Sequence, residues 1–324
     1  MFRITYIVLF GLFIALQSCG PADGVWKNDE IDAGIRQKLH ALNEEVFDDL
    51  KQKRELHLEY NLALELINHS RTRQNVEILG HELRTRDYQL FDEYYTVAQP
   101  DTMLKIQNRN RGLNSYDVHT YTVARQMYTT FYLPRTGINR KMITLVYAKF
   151  DYGWKLYHWD IRPYMYNGHT ALELLELAKR QIAQNYISDT RLTMQMASAC
   201  LRPSDIVKYP DDSAFVNTYR LFMNRAKEIQ EFPITLGDVS SKPQILGVYT
   251  KETPNGFYPM IGYLSTIDIN DTLAVKAENL AVMKVIGNVL PGIDKDKKLL
   301  FHRVYNKEST AESMQPYFDM RTEF

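Results

Sequence analysis

The 324-residue sequence predicts an α+β chain with two domains. Apolar residues recur at helical spacing from Ile31 to Leu83, then at a period of two from Tyr88 to Arg162, and helices and strands mix again beyond Asn167. Hydrophobic residues make up 45% of the chain, enough at this length for two separate cores.

The first element lies outside both domains. Arg3 and the apolar run Ile4 to Leu16 form a positive n-region and a hydrophobic segment shorter than the ~20 residues of a spanning helix, and read as a secretory signal over residues 1–18. The stretch Leu16-Gln17-Ser18-Cys19 closes it and resembles the bacterial lipobox. That resemblance implies that Cys19 becomes the first mature residue and carries diacylglycerol and an N-acyl chain such as palmitate. The chain is then a lipoprotein of a bacterial cell envelope, expected at the outer membrane. Residues 19–28 read as a short tether.

Residues 29–167 form the first domain. Ile31, Ile35, Leu39, Leu42 and Val46 make one helical stripe, Leu56, Tyr60, Leu64 and Ile67 continue it after a polar interval, and Val76, Leu79 and Leu83 mark a further helix. Strands follow from Tyr88, over Asp117 to Leu133, over Met142 to Phe150 and over Trp154 to Arg162, the last two joined by the turn Asp151-Tyr152-Gly153. Helices followed by an antiparallel meander, with the hairpin ITLVYAKFDYGWKLYHWDI, resemble the NTF2-like (cystatin-like α+β) superfamily, which implies a cone of helices over a curved sheet. Residues 168–232 predict a helical hairpin and a connecting helix. Leu177-Ala178 and Ala197 make the hairpin resemble a single tetratricopeptide-type unit, and Ser188-Asp189-Thr190 predicts the N-cap of its second helix. Residues 233–307 read strand–strand–helix–strand around the turn Thr253-Pro254-Asn255-Gly256, with Asp271 capping the helix. Residues 308–324 read as a loosely packed tail. The stretch PNGFYPMIGYLSTIDINDT…PGIDKDKK makes the whole resemble exported lipoproteins of the Bacteroidota type, a group that implies no activity for named residues.

Lys+Arg and Asp+Glu number 39 each, so no global field favours nucleic acid. Only two cysteines occur; with Cys19 acylated, no intrachain disulfide forms, and Cys200 on the repeat Leu192, Met196, Cys200 is expected to be a buried thiol. Nucleotide, hydrolase-elbow and zincin signatures are missing, and the eight histidines do not pair at helical spacing, so neither cofactor nor metal is expected.

Two constellations stand out. His158 and Asp160 share one face of a strand, where an acid–base pair would polarise a substrate. The same spacing describes an outer sheet face with cross-strand ion pairs, and a cone-facing set of Tyr157, Trp159 and Ile161 would place His158 outside. Tyr121, Tyr147, Tyr157 and Trp159 suggest an aromatic concavity that is either plain core, a ligand pocket, or a sheet face docking a protein partner or a second copy. Asp101-Thr102-Met103, Asp212-Ser213-Ala214 and Asp271-Thr272-Leu273 match a tripeptide that the Bacteroidota resemblance links to O-glycosylation. The expectation is a lipid-anchored, non-catalytic module that holds a ligand or partner near a membrane, with an enzyme or an assembly subunit as the alternatives.

Overall fold

The computed structural model describes residues 21–210, 212–308, 313 and 315–324, with only the backbone of residues 225, 227 and 228. The signal segment and Cys19 lie outside the described residues. The fold is mixed α+β and divides into two compact units. The first comprises Met1–Gln107, Val118–Arg135 and Met142–Ile161; the second comprises Asn108–Asp117, Thr136–Lys141 and Arg162–Phe324.

In the first unit, β1 (Gly24–Lys27) precedes the helices α1 (Ala33–Gln52), α2 (Glu55–Asn61), α3 (Leu64–Ile67) and α4 (Thr72–Thr85). Asp32 starts α1 by accepting hydrogen bonds from Gly34 N and Ile35 N, both at 3.0 Å. Lys53, in the left-handed region at φ 56°, ends it. Its stripe Leu39, Val46 and Leu50 is fully buried. Removing each such side chain from water is worth about 1.5–3 kcal/mol. Helix α4 packs against α1 at Gly80, where a Cβ would sit 2.6 Å from the Leu50 carbonyl oxygen, so only glycine permits that approach.

The strands are β2 (Tyr88–Val97), β3 (Met103–Asn108), β4 (Tyr116–Tyr121), β5 (Gln126–Pro134), β6 (Arg140–Phe150) and β7 (Gly153–Tyr166). One sheet runs β1-β2-β5-β6-β7, while β3 lies beside β4 in another. Cross-strand partners include Tyr95 with Tyr128 and Tyr128 with Tyr147. The core joins α1–α4 to the sheet through Leu39, Val46, Leu79, Tyr128, Tyr147, Leu156 and Trp159. The single strand expected from Asp117 to Leu133 is two strands, β4 and β5. Thr122 makes the break, its hydroxyl bonding the Gln99 and Thr102 carbonyls and accepting from Thr102 N. In β7, Leu156 and Trp159 both join the core, an odd spacing that a regular strand forbids, so the alternation slips between them.

The second unit continues with β8 (His169–Thr170), α5 (Ala171–Ala183), α6 (Ile187–Cys200), β9 (Val207–Lys208) and α7 (Asp212–Ile229). Then come β10 (Ile234–Thr235), β11 (Gln244–Thr253), β12 (Gly256–Leu264), α8 (Thr272–Val289), β13 (Leu299–Tyr305) and β14 (Tyr317–Glu323). Thr170 and Glu173 form a capping box on α5. Helix α6 starts at Ile187, ahead of the expected cap. Ser188, Asp189 and Thr190 therefore sit buried in its first turn, with Ser188 bonded to Gln230 and Asp189 to Lys297. The sheet order is β10-β11-β12-β13-β14. Strands β12 and β13 are parallel, which requires a crossover, and α8 supplies it. Asp271 caps α8 through Ala274 N at 3.0 Å. Contrary to the expected loose tail, β14 pairs with β13 from Tyr305↔Tyr317 to Leu299↔Glu323. Phe318 and Met320 on one face are half-buried against the core of the second unit, while Tyr317, Asp319 and Arg321 on the other are exposed, an apolar alternation of only two residues. No helix among the described residues is long and apolar enough to cross a membrane.

Candidate functional site

In the first unit, a buried carboxylate organises a polar cluster. Glu93 on β2 has a fully buried side chain. Arg36 Nε donates to it at 2.5 Å, the Tyr128 hydroxyl at 2.5 Å, and His40 Nε2 lies 2.8 Å away. Arg36 and His40 are one turn apart on α1, so both reach inward beside the apolar stripe. Burial, and then the Glu93 carboxylate, raise the Tyr128 phenol well above its ordinary range, so it stays a proton donor. Arg36 and His40, with Asp29, Gln37 and Glu44, line a depression of about 530 Å³. Glu93 fixes the orientation of the imidazole, which presents an aligned ring to that depression.

Of the residues that the sequence singled out, Tyr147 and Trp159 lie in the core cluster of the first unit. Tyr157 is half-buried, and exposed Tyr121 donates to Asp101 at 3.0 Å. The four do not line either cavity described in this section. His158 Nε2 and Asp160 Oδ2 are 3.7 Å apart, beyond hydrogen-bond reach. Thr102 is half-buried, and Ser213 and Thr272 are exposed. Cys200 is fully buried, and burial pushes its thiol up to about 12.

Glu45, Asp49 and His57 bring one ligand atom each within 4.8 Å of one another. His57 Nδ1 lies 2.8 Å from Asp49, however, and Arg54 Nε donates to the same carboxylate at 2.8 Å. Arg54 and His57 both engage the Asp49 carboxylate, and the group clasps α2 to the end of α1.

The second unit contains the larger cavity, about 740 Å³, with walls from α5, α6, the β11–β12 hairpin and residues 295–298. Its lining includes Leu177, Met196, Phe257 and Tyr258. The same lining carries Arg180, Lys295, Lys297 and Lys298 with the carboxylates Asp189 and Asp296, and Lys295 pairs with Asp294 at 3.3 Å. Lys297 is a built part of this wall. Its ammonium donates to Asp189 at 2.8 Å and to the carbonyls of Gly292 and Lys295 at 2.5 and 2.8 Å, which uses all three of its protons. Burial raises the Asp189 carboxyl against the opposing pull of Lys297. Gly292, at φ +87°, lies under the Tyr186 ring where a Cβ would overlap it. Gln181, also in the lining, has its Oε1 buried without a hydrogen-bond donor.

The sequence pattern did not single out this cavity, because its walls come from residues 138 to 298 and meet only through the fold. The one local signal was the lysine run 295, 297, 298 beside Pro291-Gly292. No protein-family model matches the chain, and no curated protein matches it.

Proposed function

We propose that this is a lipid-anchored cell-envelope protein of the outer membrane that binds a small ligand in the cavity of its second unit. In this reading Cys19 is the acylated anchor and the first unit is an NTF2-like cone. The observation that supports binding is the cavity itself, in which Leu177, Met196, Phe257 and Tyr258 share the lining with Arg180 and Lys298. Those features suit an organic anion with an apolar body. The test is native mass spectrometry of protein extracted from membranes in mild detergent. Wild type should carry a small molecule that Thr193→Trp, which fills the cavity, lacks. Ligand-free wild type, with no organic anion raising its melting temperature, would contradict the proposal.

A second reading assigns acid–base chemistry to the first unit, and the 2.8 Å contact between Glu93 and His40 favours it. His40→Asn would then abolish a turnover that survives in Thr193→Trp. Equal activity in wild type and His40→Asn would remove this reading.

A further inference from the structure

We infer that one end of the first unit's sheet rests on the lipid headgroups, with the β6–β7 hairpin tip at Tyr152 dipping into the interface. The inference rests on the proposal that Cys19 is acylated, and adds the surface and orientation that follow from it.

The reach of the chain sets the geometry. Cys19 is two residues from Pro21, so its backbone lies within about 7 Å of Pro21 even when the chain is fully extended. Pro21 is not at the end of a loose leash. Arg125 Nη2 donates to the Pro21 carbonyl at 3.3 Å and pairs with Asp23 at 2.5 Å, fastening the tether to the turn before β5. The bilayer surface must therefore pass close to Arg125.

Topology then decides what else meets that surface. In the antiparallel order β1-β2-β5-β6-β7, the start of β1, the end of β2, the start of β5, the end of β6 and the start of β7 share one end of the sheet. Gly24 pairs with Val97, Val97 with Gln126, and Met127 with Ala148, which sets Lys149 level with Gln126. Beyond this line two segments project. The tether leaves Gly24 through a bend at Asp23 to Pro21, and the β6–β7 hairpin turns over at Asp151 and Tyr152, two residues beyond Lys149. At about 3.3 Å per residue the hairpin tip stands about 7 Å beyond Lys149, on the same end of the sheet as Pro21. Strands about 4.8 Å apart place them some three strand widths, or about 14 Å, from each other across the end.

The chemistry of the tip suits a headgroup layer. Tyr152 is 55% exposed and stacks on Phe150 with ring centres 5.2 Å apart. Lys155 Nζ lies 5.8 Å over the Tyr152 ring, and Lys149 is exposed beside it. Tyr and Lys are the side chains that anchor at membrane interfaces, an apolar body with a wet end. Lys155 also bonds the Tyr60 carbonyl, which brings up the α2–α3 corner, where Tyr60 is 75% and Leu64 61% exposed. Asp151 and Glu65 stand close by, so the surface is not polybasic. The covalent anchor supplies attachment, and the aromatic tip sets the orientation.

The test places a nitroxide on the full acylated chain in vesicles of phosphatidylethanolamine and phosphatidylglycerol, at Tyr152→Cys or, at the opposite end of the sheet, at Arg135→Cys. Buried Cys200 does not take the label. Lipid-soluble oxygen should relax the label at 152 more than a water-soluble nickel chelate does, and the order should reverse at 135. Adding Cys19→Ser should restore nickel accessibility at 152. Protein that floats with the vesicles while both labels stay equally open to nickel overturns the orientation and leaves the anchor standing. Protein with Cys19 intact that does not float overturns both.

Discussion

His302 offers a sharp test of how the second unit is built. It sits on β13 between Leu300 and Val304 on the face packed against α8, fully buried, and neither ring nitrogen has a hydrogen-bond partner. Burial alone lowers its pKa from 6.5 to about 4. The sign follows from linkage: between those values the unfolded chain binds a proton that the folded unit refuses. Stability from this residue is thus fully present above pH 6.5 and is lost as the pH falls toward 4. The whole gap corresponds to about 3 kcal/mol, of which about 2.5 kcal/mol is gone at pH 4.5. His302→Leu keeps the volume roughly constant and removes two unsatisfied nitrogens, so it should not destabilise the protein at neutral pH. Hydrogen exchange of β12–β13 peptides, corrected for intrinsic rates, reads the local stability. On going from pH 7.5 to 4.5, wild type should lose about 2.5 kcal/mol more than the variant. Equal losses would refute the reasoning.

Other consequences are as direct. Gly292→Ala forces a side chain into positive φ under Tyr186; the backbone alone should cost about 1–3 kcal/mol, and a melting temperature equal to wild type would count against the packing described. Glu93→Leu leaves Arg36 and His40 without their carboxylate; because Arg36 is partly exposed, the loss should fall near the lower end of about 3–5 kcal/mol by denaturant titration, and a neutral change would show that the cluster carries no stability. Cys200 should not react with a disulfide reagent at pH 8 until denaturant is added; fast reaction of the native protein would contradict its burial.

Much of the fold was legible because local chemistry and tertiary structure agree. The turn at Asp151-Tyr152-Gly153 has glycine at φ +111°, and Asp271 both starts and caps its helix. Sequence reading fell short where long-range contacts decided. The break between β4 and β5 contains neither glycine nor proline; it is made by the Thr122 hydroxyl reaching Gln99 and Thr102. Strand β14 contributes only Phe318 and Met320 to the core and is otherwise held by pairing to β13, so its apolar alternation is too short to stand out. Arg36 and His40 stood one turn apart beside the stripe of α1, a visible pattern, but their partner Glu93 is more than fifty residues away. The wall of the second unit's cavity depends on Lys297 meeting Asp189, 108 residues earlier in the chain. Spacing along a sequence carries no information of that kind.

The mature N-terminus is where anchoring is decided. Digestion of protein from bacterial membranes, followed by mass spectrometry of the N-terminal peptide, should find a chain that begins at Cys19 with a thioether-linked diacylglycerol on its sulfur. A mature chain that starts at another residue, or that carries an unmodified thiol at Cys19, would contradict it.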